Sequence, residues 1–351
     1  MDREGLLWGE DPRKLLIDLR RQLHTQFPTT HDWASVTAYA SLSPGFERQL
    51  ASAQIRRANA SIDEALKVAD EVTRRFSSRI GRKSTTSKSA ADPDTENQQL
   101  LDSTRNRVVA AKKRLEKLLN RYPSERARIR GLLASTEKRE AHIHYSRRNI
   151  SRLTVEQREQ ASQDALDALS RARDYYWDAF LADRANYWVT VQYLSLTLIL
   201  EKSGRLPPAA DTAKAAAAAL WFMAEMQSIS DLQSDDRLAR VWALGNLVEL
   251  YILAPLVDNV VVTYAGAALV EKASARAREI VAAAGPNSFG TWSTRRQVAR
   301  YLEWYNDIAN QTLAPVIEIA EAAFAQLPIG VEPEWDTDAS PPACVWQIAK
   351  S

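Results

Sequence analysis

Apolar residues recur three and four positions apart over most of this chain, the spacing of one helix face. Residues 12–27 carry Leu15, Leu16, Leu19 and Leu23 as a stripe, and Pro12 suits the first turn. Residues 46–76 read as a second helix. Two charged helices, 98–122 and 124–150, follow. Leu101, Val108, Leu115 and Leu119 fall near heptad spacing there, which predicts a helical hairpin or short coiled coil. From about residue 151 Trp, Tyr and Ala become dense, and helices are predicted in pairs. Thr154 with Gln157 reads as a capping box, Gly204 as a helix stop, and Ser293 as an N-cap. One run departs from this period. "WASVTAYASL", with Trp33, Val36 and Tyr39 among small residues, reads as a buried strand. A lone strand leaves its backbone groups unpaired, so it needs a partner.

Polar stretches divide the chain. "SSRIGRKSTTSKSAADPDTEN" (77–97) is almost free of apolar residues and reads as a disordered linker. The tail 329–351 is rich in proline and reads as irregular. The expected organisation is an α/β fragment over 1–45, a charged helical spacer over 46–150, a helical module over 151–328, and the tail. The fold class is mainly α: helical repeats forming an α-solenoid, preceded by the spacer and a short α/β fragment with one strand.

Composition sharpens this only in places. The 351 residues are 45% hydrophobic and 26% charged, as expected of a chain with a substantial core. The net charge of +2 gives no global basic field, so nucleic acid is not an expected partner. Cys344 is the single cysteine, which excludes an internal disulfide and suits a cytoplasmic setting. The most apolar stretch, 251–270, is interrupted by Pro255, Asp258 and Asn259, and reads as buried helix rather than a membrane span. The acidic N-terminus does not read as a signal peptide.

No reaction announces itself. Cys344 lies in a proline-rich tail, away from His24, His31, His142 and His144, so a Cys–His pair is not expected. His142 and His144 stand two apart and point to different helix faces, which favours a surface reading over a metal site. No phosphate-binding glycine loop is present, and no cofactor is expected. The basic runs around 74–88 and 105–130 mix with acidic residues and read as solvated helix faces. The most site-like segment is "TWSTRRQVARYLEW". Arg295, Arg296 and Arg300 are placed at a helix start, where an anion is favoured, and Trp292 and Tyr301 offer rings for a planar ligand. The competing reading makes the rings core and the arginines surface.

Three stretches carry resemblances to known families. In "SRARDYYWDAFLADRANYW", Ala172, Tyr176 and Ala179 have small–aromatic–small spacing on one face, which resembles the tetratricopeptide repeat, without its fixed period. That resemblance implies a groove near Tyr176, Trp188 and Gln192. The first 45 residues resemble the C-terminal edge of a CHAT domain, a caspase-like α/β domain found with such repeats. Its catalytic histidine and cysteine would precede Met1, so the resemblance implies a truncated or split frame, or a sheet supplied by a partner. The motifs at 187–196, 242–253 and 289–301 resemble a helical sensor module that accompanies CHAT and other effector domains in bacterial conflict systems. Together these imply a non-enzymatic interaction or sensor protein. It would bind a protein partner, or a small ligand such as a nucleotide derivative, and regulate a CHAT-type effector. The alternatives are an inactive fragment of a CHAT-family peptidase and a plain structural scaffold.

Overall fold

The computed structural model describes residues 54–55, 93–261 and 266–328. The expected strand Trp33–Tyr39, the α/β fragment 1–45 and the tail 329–351 lie outside the described residues. Within them the chain is mainly helical, with no strand. Contacts divide it into two units, one ending at Ala168 and the other beginning at Leu169.

In the first unit α1 (Pro93–Arg121) and α2 (Arg126–Arg148) pack together as the expected hairpin. Asn97, Leu101, Thr104, Val108, Ala111, Leu115 and Leu118 are all buried. Their alternating four- and three-residue steps make a heptad seam. Leu118 takes the place in it expected of Leu119, which is half-buried. Charges cross the pair, Lys112 to Glu137 and Arg105 to Glu140 (3.5 Å). The linker expected over 77–97 is corrected at its end, because 93–97 are already helix. Pro93 occupies the first helical position, and Asp94 and Glu96 sit in the first turn, where the helix dipole favours acid. Ser151 holds Asp94, and Arg152 donates to Thr95 at 2.7 Å, so the start of α1 is tied to the loop after α2.

That loop leads into α3 (Val155–Ala182), within which the division between units falls. Its capping box is as expected: Thr154 N donates to Gln157 Oε1 (3.0 Å), and Gln157 N to Thr154 Oγ1 (3.3 Å).

The second unit continues with α4 (Tyr187–Lys202), α5 (Asp211–Asp231), α6 (Arg237–Leu253), α7 (Gly266–Ala284), α8 (Phe289–Arg300) and α9 (Ala314–Ala325). Gly204 ends α4 with φ +74°, and Arg205 N reaches back to Leu200 O at 3.0 Å, a Schellman closure. Asp236 caps α6, its Oδ1 accepting from Leu238 N at 2.8 Å. Arg237 then donates to Ala283 O (2.8 Å) and Ala284 O (3.2 Å), placing a cation on the last carbonyls of α7.

Helix α6 is the centre of this unit. It contacts α4, α5, α7, α8 and α9, and everything from Asn246 to Leu253 is buried. The solenoid expected from paired helices is therefore not confirmed, since stacked repeats touch only their neighbours. Enclosure of its second half also explains why apolar residues there stand on most faces of α6. Arg237–Leu256 is the one described stretch long and apolar enough to cross a membrane, and 72% of its most apolar window is buried inside the protein.

Two glycines let α8 approach α6. A Cβ on Gly290 would run into Val241 Cγ1, and one on Gly245 would come within 3.0 Å of Thr294 Oγ1. "PNSFGTW" reads as a turn from sequence, but Gly290 is a packing glycine inside a helix. Gly290→Ala is expected to destabilise the protein by about 1–3 kcal/mol in urea melts despite alanine's better helix propensity. The double variant with Val241→Ala is expected to lose less than the sum of the two singles, because the smaller side chain makes room.

Candidate functional site

The arginine segment singled out above begins with a correction. Ser288, not Ser293, caps α8, its Oγ accepting from Thr291 N at 3.2 Å, while Thr291 Oγ1 donates to Gly285 O at 2.7 Å. Arg295 and Arg296 consequently lie in the body of α8, and Arg300 is its last residue, so none of them stands at a helix start. Each has a separate role in packing. Arg295 lies over the Phe324 ring at 3.7 Å and hydrogen-bonds the carbonyl of Leu327 just past α9. Arg296 stacks on Trp292 at 4.2 Å. Arg300 donates to the Gln297 side chain. Tyr301 is fully buried. The five residues thus do not converge on one ligand.

What converges instead is a set of polar side chains around Glu249 on α6. Its carboxylate is buried and receives three hydrogen bonds from two other segments. Gln192 Nε2 of α4 donates at 2.5 Å, Gln297 Nε2 of α8 at 2.8 Å, and the Tyr301 hydroxyl at 2.8 Å. Ser195 Oγ lies 2.6 Å from the same hydroxyl. Residues 192 and 195, and 297 and 301, are one helical turn apart, so α4 sends Gln192 to the carboxylate and Ser195 to Tyr301, while the end of α8 sends both Gln297 and Tyr301 to the carboxylate. Tyr301 opens a single π-helical stretch, Tyr301–Tyr305, whose wider turn continues α8. Tyr301 and Tyr305 meet edge to face at 5.3 Å, and Trp304 lies 4.6 Å from Tyr305. Burial, then the Glu249 charge, pushes the Tyr301 hydroxyl well above the ordinary phenol range. Burial does the same to Tyr305. Glu249, Gln192, Gln297, Tyr301 and Ser195 satisfy one another, the signature of a network that fixes helix register. Gln192, assigned above to a repeat groove, belongs to this network.

A second buried polar cluster joins α5, α6 and α7. The Tyr251 hydroxyl bonds Glu225 and Arg276, and Lys272 lies 5.4 Å from its ring centre. Burial, then the Glu225 charge, moves its pKa up to about 12. In the first unit His144 is buried, not on the surface as expected. It sits 3.8 Å from Glu140 and 3.5 Å from Asp164. Among the described residues no group of three or more His, Cys, Asp or Glu side chains could hold a metal ion.

One exposed apolar surface among the described residues is built on an aromatic side chain. Ala172, Tyr176 and Ala179 form one buried face of α3, as their spacing predicts, and Tyr176 meets Trp188 edge-on at 5.6 Å. One residue on, Trp177 points outward at 36% exposure and Leu181, a turn later, at 49%. Trp177 is held against Tyr193 of α4 (4.9 Å) and Phe180 (5.4 Å). The result is a firm apolar ledge on α3 and α4 beside the residues Tyr176 and Trp188 assigned to the groove. Sequence reasoning stopped at the buried face and missed Trp177. The signal was present, since "YYW" places aromatics on adjoining faces of one turn.

Two measurements check the buried networks. Glu249→Gln turns an amide donor toward groups that already donate, and is expected to cost about 2–3 kcal/mol, read from urea unfolding. The raised tyrosine pKa values have a definite sign. Below pH 10, the ordinary phenol value, folded and unfolded chains are equally protonated and the contribution is complete. As pH climbs from 10 through the folded value of about 12 for Tyr251, the unfolded chain loses its proton first and stability falls. Tm should drop across that window, and Tyr251→Phe should make the drop shallower.

No family model, no curated protein and no solved structure matches this chain.

Proposed function

We propose that this chain is a non-enzymatic helical interaction module, and that its second unit receives a protein partner on the ledge formed by Trp177, Leu181 and Tyr193. The observation that carries this reading is the exposed pair Trp177 and Leu181, backed by rings that hold Trp177 in place. A tryptophan fixed before binding loses little side-chain entropy on contact, and such residues dominate the energetics of protein interfaces. The polar groups of the unit are by contrast spent on one another around Glu249 and Tyr251, which supports a recognition role over a chemical one.

The resemblance of residues 1–45 to the edge of a CHAT domain gives the finer reading. The partner is then an effector of that caspase-like class, or the remainder of such a domain, and the helical module regulates it. The small-ligand reading at Trp292, Arg295, Arg296, Arg300 and Tyr301 is the second one, and it is weakened where these side chains already contact one another and the core.

The test is paired affinity capture from native cells with wild-type chain and with Trp177→Ala and Leu181→Asp variants of unchanged circular dichroism. A defined partner should be depleted at least tenfold by each substitution. Purified, that partner should change its proteolytic rate when wild-type chain is added. Equal capture by all three baits would remove the ledge from the account, and a captured partner with unaltered activity would remove the regulatory part.

A further inference from the structure

Helix α5 has a second apolar face that is exposed among the described residues. Its inner face buries Ala218, Trp221, Ala224, Glu225 and Ser228. On the opposite side Thr212, Ala216, Ala219, Met223, Met226 and Ser230 are all exposed, Met223 at 40% and Met226 at 71%. Steps of four, three, four, three and four residues put these six on one line along the helix. Between 215 and 230 the sole charged residue is Glu225, which faces inward. The outer ridge is therefore uncharged, in a chain of which 26% of residues are charged.

The ridge has a particular order. Its spacing reads the same in both directions, with small residues in the first half and methionines in the second. When two copies of α5 cross antiparallel about a two-fold axis level with Trp221, Ala216 of one faces Met226 of the other. Ala219 then faces Met223, and Thr212 faces Ser230. Each thioether enters the space an alanine leaves, and the end hydroxyls come within reach of one another. A parallel pairing would set methionine on methionine and alanine on alanine, with crowding at one end and a gap at the other. We infer that the exposed face of α5 is a self-association surface on which a second copy of this chain packs antiparallel. The contact is isologous, so it closes at two copies.

Area sets its strength. A 21-residue helix is about 31 Å long, and with a width of about 10 Å its footprint on each copy is on the order of 300 Å². That falls well below the size of standard stable interfaces, so the dimer is weak and concentration-dependent. This inference is independent of the partner ledge on α3 and α4, because it uses a different helix and different residues.

Sedimentation equilibrium on the full chain over a concentration series tests it. Wild type should show a reversible monomer–dimer equilibrium. Met226→Asp and Ala216→Lys should each weaken it at least tenfold. Mixing the two variants should restore pairing above that of either alone, because one of the two Ala216–Met226 contacts becomes an ion pair while the other stays native. Both positions are exposed, and unchanged melting curves would confirm that folding is intact. A wild type that stays monomeric up to its solubility limit overturns the inference, and leaves the ridge to a different protein. Variants that dimerise as well as wild type, or a mixture no better than its components, overturn it equally.

Discussion

The second unit depends on how one buried carboxylate is satisfied. Glu249 lies on the most enclosed helix of the unit, and an ionised side chain there is tolerable only if donors meet it. Gln192 comes from α4, Gln297 from α8, and the Tyr301 hydroxyl from the π-helical stretch that follows α8. Apolar packing alone would let these helices slide by a turn at small cost, since one aliphatic face resembles another. Three directed hydrogen bonds forbid that slide, because any other register strands a donor or the acceptor. The glycines at 245 and 290 belong to the same constraint. They bring α6 and α8 close enough for side chains as short as glutamine and glutamate to meet.

That arrangement decides what the rest of the unit can be. With the second half of α6 enclosed, the helices around it form its coat. The cations that might have gathered on a ligand are dispersed by the coat. Arg237 closes α7, Arg295 reaches the carbonyl past α9, and Arg300 orients Gln297, which in turn holds Glu249. A cation serving as a helix cap or as support for an amide is no longer available to an anion. These arginines go into holding the fold, which leaves apolar side chains such as Trp177 and Leu181 on the outside of the unit.

The sequence disclosed the parts governed by local rules. Leu101, Val108 and Leu115 announced the hairpin seam, Thr154 with Gln157 announced the cap of α3, and Gly204 announced the end of α4, each through a short-range pattern with one physical meaning. It misled where a residue type has two meanings. Gly290 looks like a turn and is a packing glycine, so the start of α8 was placed at Ser293 rather than Ser288. Proline and acidic residues at 93–96 look like a linker and are a helix start. The Glu249 network was invisible in advance, because its members are 57, 48 and 52 residues apart in pairs and join only through tertiary packing. Gln192 and Tyr301 stand out individually in the sequence, yet nothing local assigns them to one carboxylate.

The two outward apolar features differ in kind. Trp177 and Leu181 make a small, firm ledge backed by aromatic rings, the form of surface that one partner residue or helix end can grip. The α5 ridge is long, flexible in its methionines, and ordered so that its two halves fit each other reversed. An apolar face of helical length with no charge on it is a standing risk of non-specific association. A ridge that matches itself limits that risk, since pairing with one copy removes the whole face from water and leaves nothing for a third. The same logic does not protect the ledge, whose aromatic side chains have no mirrored counterpart on α3. Its exposure is therefore the feature of this unit that most calls for a different molecule.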